Sequence, residues 1–135
     1  MCFSGKADGS LQLSEFESRS SFHATRLNST TFRIVEQDAF GERPFIYVKI
    51  YADVLVVVDT GCNAPKDADL PVTSLRQYLE AFPVHENNNE PLNQGGRQPY
   101  LIILSHCHYD HIGTYFAETC SSFRDNWVII CSETY

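Results

Sequence analysis

His106, Cys107, His108, Tyr109, Asp110 and His111 place three imidazoles and a carboxylate within six consecutive residues. Imidazole nitrogen and carboxylate oxygen are the donors that suit zinc and similar first-row metals. The cluster follows directly on the apolar run Tyr100 to Leu104. A buried strand ending there would release all four donors at one point in space. A second polar turn, Asp59-Thr60-Gly61, follows another apolar run, Val54 to Val58. The chemistry these residues offer is activation of water or polarisation of a substrate by a bound cation.

The elements that must position them can be read from the pattern. Residues 1–22 read as a solvated tail and 23–135 as one domain. Thr31 to Glu36 and Phe45 to Tyr51 are rich in β-branched and aromatic residues and read as strands, with a turn around Gly41 between them. Val54 to Val58 suits a central strand covered on both faces, and the three should form an antiparallel meander. Leu75, Leu79 and Phe82 repeat at helical spacing, which predicts a helix over 71–82 with Thr73 or Ser74 as its cap. Pro83 to Pro99 reads as a long loop. After the strand 100–104 and the cluster, Ile112, Tyr115, Phe116, Cys120 and Phe123 mark one face of a second helix, and 127–131 reads as a last strand.

This β-β-β-α-β-α-β order makes the fold class α/β (or α+β). Ligands in open α/β sheets collect beyond the carboxyl ends of strands. Asp59 and the histidine cluster should therefore share one edge of the sheet, and the loop 83–99 the opposite edge. Alternation along an extended segment would set residues 106, 108 and 110 on one side, with His111 joining as the chain curls.

Composition narrows the function. Ten basic against seventeen acidic residues give a net charge of −7, which argues against a nonspecific grip on nucleic acid. Five cysteines, odd in number and without CxxC spacing, fit free thiols in a reducing compartment. The first twenty residues lack the apolar stretch of a secretory signal, and no window reaches membrane-spanning length. The expectation is a cytoplasmic protein with no membrane partner and an unspecified oligomeric state. His85 reads as solvated, neither it nor His23 has the spacing to join the cluster, and Cys62 and Cys107 read as small core hydrophobes rather than ligands.

The pairing of Val58-Asp59-Thr60-Gly61 with Ser105 to Gly113 resembles the metallo-β-lactamase superfamily. The second stretch fits its His-x-His-x-Asp-His signature throughout. The resemblance covers residues from about 25 to 135. It implies His106 and His108 as ligands of a first metal and Asp110 and His111 as ligands of a second. It implies Asp59 as the acidic residue bracing the ligand loop, and Asp110 as the group that guides the nucleophile or passes a proton to the leaving group. The implied cofactor is zinc, up to two ions per complete site, with iron as an alternative. The implied function is a metal-dependent hydrolase, with activated water attacking an ester, thioester, lactone or lactam bond of a small-molecule substrate.

Two departures accompany the resemblance. The family often carries Gly-Gly after the signature, where this chain has Gly113-Thr114. The family's αββα sandwich is also considerably longer, and its second half supplies three further ligands. The expectation is an N-terminal half of that sandwich, truncated, with one apolar sheet face uncovered. A noncatalytic metal-binding remnant or interaction module, and a non-haem iron oxidoreductase of the same fold, are therefore carried beside the hydrolase reading.

Overall fold

A computed structural model provides the structure, which describes residues 19–118 and 127–131, with side chains from 19 to 113. Of the expected tail, residues 1–22, positions 1–18 lie outside the described residues, as do the helix positions Cys120 and Phe123. Ser20, Ser21 and Phe22 are no solvated tail but buried, because Ser20 bridges to Val72 and Phe22 opens the first strand of the sheet. Six strands form one sheet in sequence order: β1 (Phe22–Asn28), β2 (Thr31–Glu36), β3 (Phe45–Ile50), β4 (Leu55–Val58), β5 (Tyr100–Leu104) and β6 (Trp127–Cys131). The first four pair antiparallel, and β4, β5 and β6 pair parallel. The sheet is thus mixed, as expected from a meander followed by crossover units.

Register decides which side chains are buried. Phe32 faces Val48, Val48 faces Val57, and Val57 faces Ile102 across successive strands. All four lie on the same face, because side chains alternate along each strand. Helix α1 (Leu75–Ala81) closes that face with Leu75, Tyr78 and Leu79. Tyr78 stacks on Phe82 with ring centroids 4.9 Å apart and tilts against Phe22 at 5.5 Å. On the other face Val35, Val56, Val58, Leu101 and Ile103 are half-buried, while Phe45 and Tyr47 are exposed. These residues make that face apolar as well.

Strand β1 is not evident from the sequence. It pairs with β2 from Phe22↔Glu36 to Asn28↔Thr31, yet only Phe22 and Ala24 reach the core. An edge strand with Arg26, Leu27 and Asn28 exposed has too little alternation to read as one. Helix α1 is shorter than the predicted 71–82. Val72 is claimed by a bridge to Ser20, with Ser21 N donating to Val72 O at 2.9 Å, so the chain stays extended until Ser74. At the other end Pro83 disfavours helix at Phe82, whose backbone is extended.

Helix α2 (Tyr109–Glu118) starts inside the histidine cluster. The extended alternation expected for 106, 108 and 110 therefore stops at His108. Asp110 and His111 instead occupy the first turn of a helix, where His111 N donates to His108 O at 2.9 Å. The loop 83–99, which contains two short 3₁₀ turns, does lie at the opposite edge. Gln98 Nε2 donates to the carbonyls of Tyr51 and Ala52 in the β3–β4 turn, at 2.8 and 3.1 Å. No helix among the described residues is long and apolar enough to cross a membrane.

Candidate metal centre

The parallel pairing of β4 with β5 brings Asp59 and Ser105 side by side, each one residue past its strand. Asp59 N donates to Ile103 O at 2.9 Å, which extends the ladder into the loop. Asp59 then turns with a φ of 62°, in the left-handed region that aspartate tolerates better than most residues. The residue is buried, and its carboxylate makes three contacts. Oδ1 takes Ser105 N at 2.8 Å, and Oδ2 takes Ser105 Oγ at 2.8 Å. Oδ2 also lies 2.8 Å from His111 Nδ1.

These bonds fix the histidine tautomers. A carboxylate only accepts, so His111 carries a proton on Nδ1; its Nε2 faces a second carboxylate, that of Asp110, and offers a lone pair only where a cation rather than a proton lies between them. The Ser105 hydroxyl gives its single proton to Asp59, so toward His106 Nδ1, 2.8 Å away, it can only accept. His106 is thereby also protonated on Nδ1, leaving Nε2 as its donor to a cation. One carboxylate thus sets two imidazoles, one directly and one through Ser105. This is the arrangement by which outer partners orient metal ligands.

The two loops are also tied along their backbones. Thr60 N and Oγ1 both donate to His111 O, at 2.7 and 3.0 Å, and Gly113 N donates to Gly61 O at 2.8 Å. A Cβ on Gly113 would fall 2.2 Å from the carbonyl carbon and oxygen of Cys62, so the helix can approach this loop only with glycine there. The close approach belongs to Gly113, the position the chain shares with the signature; the side chain of Thr114 lies outside those described.

The loop 59–64 is held from below by Glu36, fully buried at the end of β2. Its Oε2 accepts Cys62 N at 2.6 Å and its Oε1 accepts Ala64 N at 3.1 Å. Burial raises the Glu36 carboxyl above its ordinary range, against the opposing pull of the Cys62, Ala64 and Asn63 N–H groups. Burial, with the charges of Glu36, Asp38, Asp110 and Glu42, pushes the Cys62 thiol up to about 12. A thiol held there is not a thiolate near neutrality. The loop 38–44 forms a wall beside the cluster: Tyr109 Oη donates to Glu42 Oε1 at 2.6 Å, and Phe40 meets the Tyr109 ring edge-on at 5.5 Å. The Glu42 bond first, then partial desolvation, raises the Tyr109 phenol to about 12.

The imidazoles of His106, His108 and His111 do converge. Ring centroids are 4.5 Å apart for His106 and His108 and 4.0 Å for His106 and His111. His111 Nε2 lies 3.2 Å from Asp110 Oδ2. That is the contact of an imidazole with a carboxylate, and it is also close to the roughly 3.4 Å that separates two ligands each about 2.1 Å from one tetrahedral cation. Among the described residues, however, no group of three or more His, Cys, Asp or Glu side chains is arranged to hold one metal ion. The donor chemistry and the Asp110–His111 spacing fit a cation, while the remaining imidazoles pack ring against ring. His23 and His85 are exposed and apart from this cluster.

Ser105, Thr60 and Gly113 act here as motif positions to which the sequence assigned no role, and Glu36 acts without having been singled out at all. Ser105 and Gly113 had a signal, since they flank the histidine cluster. Glu36, twenty-six positions from Cys62, had none.

The sequence model described as the metallo-beta-lactamase superfamily matches residues 44–115, just over half of the chain. A protein of Aspergillus versicolor named "Putative transcription factor avaE" is 60% identical over 101 residues, which is 75% of this chain and 30% of that protein. The chain therefore spans less than a third of the length of that relative. No solved structure matches the chain.

Proposed function

The chain belongs to the metallo-beta-lactamase superfamily, and from that premise we propose that it carries the ligand-bearing loop of a zinc-dependent hydrolase. The observation that carries this reading is Asp110 Oδ2 and His111 Nε2 at 3.2 Å, with His111 already oriented by Asp59. In this reading His106 and His108 hold one cation, and Asp110 and His111 a second. Bound zinc would supply Lewis acidity and bring the pKa of water down toward about 7.

The protein's own part is positioning and proton handling. Asp59 and Ser105 engage Nδ1 of His111 and of His106, which leaves Nε2 of each ring as the atom turned toward a cation. Asp110, on the first turn of α2 and part-exposed, would align the attacking water, take up the proton that water loses and pass it to the leaving group. Phe40, Glu42 and Tyr109 wall the approach to the cluster. A Cys62 thiol at about 12 leaves no thiolate there to compete as nucleophile. The substrate class is a small ester, thioester, lactone or lactam. Cys62 and Cys107, in no disulfide among the described residues, support a reducing, cytoplasmic setting.

A second reading is a metal-binding or interaction module without turnover. Two observations favour it: no three-donor group is assembled among the described residues, and the Aspergillus versicolor relative is named as a transcription factor rather than as an enzyme. Metal content per chain, measured beside hydrolysis of a generic thioester, separates the two. Zinc with turnover that a chelator abolishes and zinc restores is the expected result. Bound zinc without turnover supports the second reading, iron with oxygen-dependent turnover points to an oxidoreductase, and a metal-free, inert protein ends the hydrolase proposal.

A further inference from the structure

A second polar cleft opens at the same edge of the sheet, on strands β1 and β2. Because β1 to β4 alternate in direction, the start of β1 and the end of β2 lie at the edge where β4 delivers Asp59. The cleft has a volume of about 470 Å³, and Ser20, His23, Thr25, Arg33, Gln37 and Arg43 contribute its polar lining. Two guanidiniums in one cleft are unexpected in a chain whose acidic residues outnumber its basic ones, seventeen to ten. Such a chain has carboxylates to spare for pairing.

Neither arginine uses one. No ion pair joins Arg33 or Arg43 to an acidic side chain among the described residues, whereas Arg76 does pair with Glu80, at 2.9 Å. The Arg33 guanidinium carbon lies over the Phe45 ring, 4.9 Å from its centroid. In that position its Nε is buried without a hydrogen-bond acceptor. A buried N–H of a cation with no acceptor is costly, and native proteins rarely leave one. Arg43 is held at the cleft by its backbone, where φ is 51° and N donates to Asp38 Oδ2 at 2.7 Å.

We propose that this cleft is an oxyanion-binding site, in which Arg33 and Arg43 receive a carboxylate or phosphate group. The shared chemistry is two oxygens offered to a planar guanidinium fork, the pairing that arginine makes best. The aromatic ring under Arg33 leaves the guanidinium edge as the face for hydrogen bonding. Ser20, Thr25 and Gln37 add neutral polar groups around it. The inference is independent of whether the histidine cluster holds a metal, because none of these residues belongs to that cluster.

Nuclear magnetic resonance of the full chain tests it. Arginine Nε–Hε signals are followed while inorganic phosphate, and separately acetate, is added against sodium chloride of equal ionic strength. The expected result is a saturable shift of the Arg33 signal with one of the two anions, in the millimolar range. Whichever anion saturates first identifies the group as phosphate or carboxylate. Arg43→Gln, at an exposed position, should weaken that anion about tenfold, and Arg33→Lys, which keeps charge but loses the fork, should do likewise. Arg97→Gln should leave the titration unchanged. A response that sodium chloride reproduces, or one that survives Arg43→Gln undiminished, overturns the proposal.

Discussion

Asp59 Oδ2 lies 2.8 Å from His111 Nδ1, although 52 positions separate them in the chain. The contact exists because β4 and β5 run parallel and in register, Val58 beside Ile103, so that the two loops leave the sheet together. It joins the carboxylate that also receives Ser105 N and Oγ to an imidazole of the histidine cluster. The sheet register is therefore what converts two distant motifs into one site.

Asp59→Asn tests that bracket. Asparagine tolerates the positive φ and preserves size, but one oxygen becomes an amide that donates. It cannot accept from Ser105 N, Ser105 Oγ and His111 Nδ1 together. Zinc affinity should fall about 10–100-fold, the usual effect of losing an outer partner of a metal ligand, with about 1–3 kcal/mol of stability lost as well. Calorimetric titration with zinc beside a thermal melt reads both. Unchanged affinity in the folded variant would show that the carboxylate does not orient the ligands.

Ser105→Ala separates the relayed tautomer from the direct one. Ser105 is exposed, so the fold should lose less than about 1 kcal/mol. Without the hydroxyl, His106 Nδ1 has no acceptor at that position and its proton redistributes between the two nitrogens. Imidazole nitrogen shifts should report a mixed tautomer at His106 and an unchanged Nδ1–H at His111. Both signals moving together would mean that Asp59 controls them by another route.

Gly113→Ala should be far more damaging than a helix glycine usually is. Alanine ordinarily stabilises a helix interior by about 1 kcal/mol relative to glycine. Here its methyl would meet the Cys62 backbone at 2.2 Å, and backbone cannot swing aside as a side chain can. A loss of about 3 kcal/mol, or failure to fold, is expected. A melting temperature equal to or above that of the parent protein would refute the close packing of α2 on the loop 61–62.

What the sequence made legible followed from periodicity and local spacing. The apolar runs of β4 and β5 and the signature behind β5 announce themselves, and with them the shared sheet edge. The start of α2 at Tyr109 was not legible, because His106 to Asp110 suit an extended loop as well as a helical turn; Thr60 and Gly61, gripping His111 O and Gly113 N, select the turn. β1 stayed hidden because an exposed edge strand has no need of alternation. Glu36 was illegible for a different reason. A glutamate at the end of a strand reads as solvated, and only the return of the chain at Cys62 to Ala64 shows that its two oxygens close a loop. The arrangement of cation donors is a matter of side-chain angles that no spacing encodes, and among the described residues those donors form a pair, not a triad.

Glu36→Gln should loosen the loop that carries Asp59. The carboxylate receives N–H groups on both oxygens, so an amide must set a donor against either Cys62 N or Ala64 N. Gly61 leaves no slack, since a Cβ there would come within 2.2 Å of Glu36 Oε2. A loss of about 2 kcal/mol is expected, with amide exchange rising first over residues 59–64. Protection unchanged in that segment would mean that Glu36 is not what holds the loop.

Asp38, two residues on from Glu36 and also buried, should respond to pH in the opposite sense. Burial alone would raise its carboxyl, but the N–H groups of Arg43, Glu42 and Phe40 outweigh that effect and hold it below the ordinary range. A depressed carboxyl stabilises the fold above its unfolded value, and that contribution is lost as pH falls through the folded value. Glu36, raised by burial, gives its contribution in full below the unfolded value and loses it as pH rises through the folded one. Asp38→Asn should therefore flatten the acid side of the stability profile, and Glu36→Gln the side just above the ordinary carboxylate range. Urea unfolding from about pH 3 to about pH 8 checks this. If the two variants shift the same limb of the profile, the assignment of opposite roles to these neighbouring carboxylates is wrong.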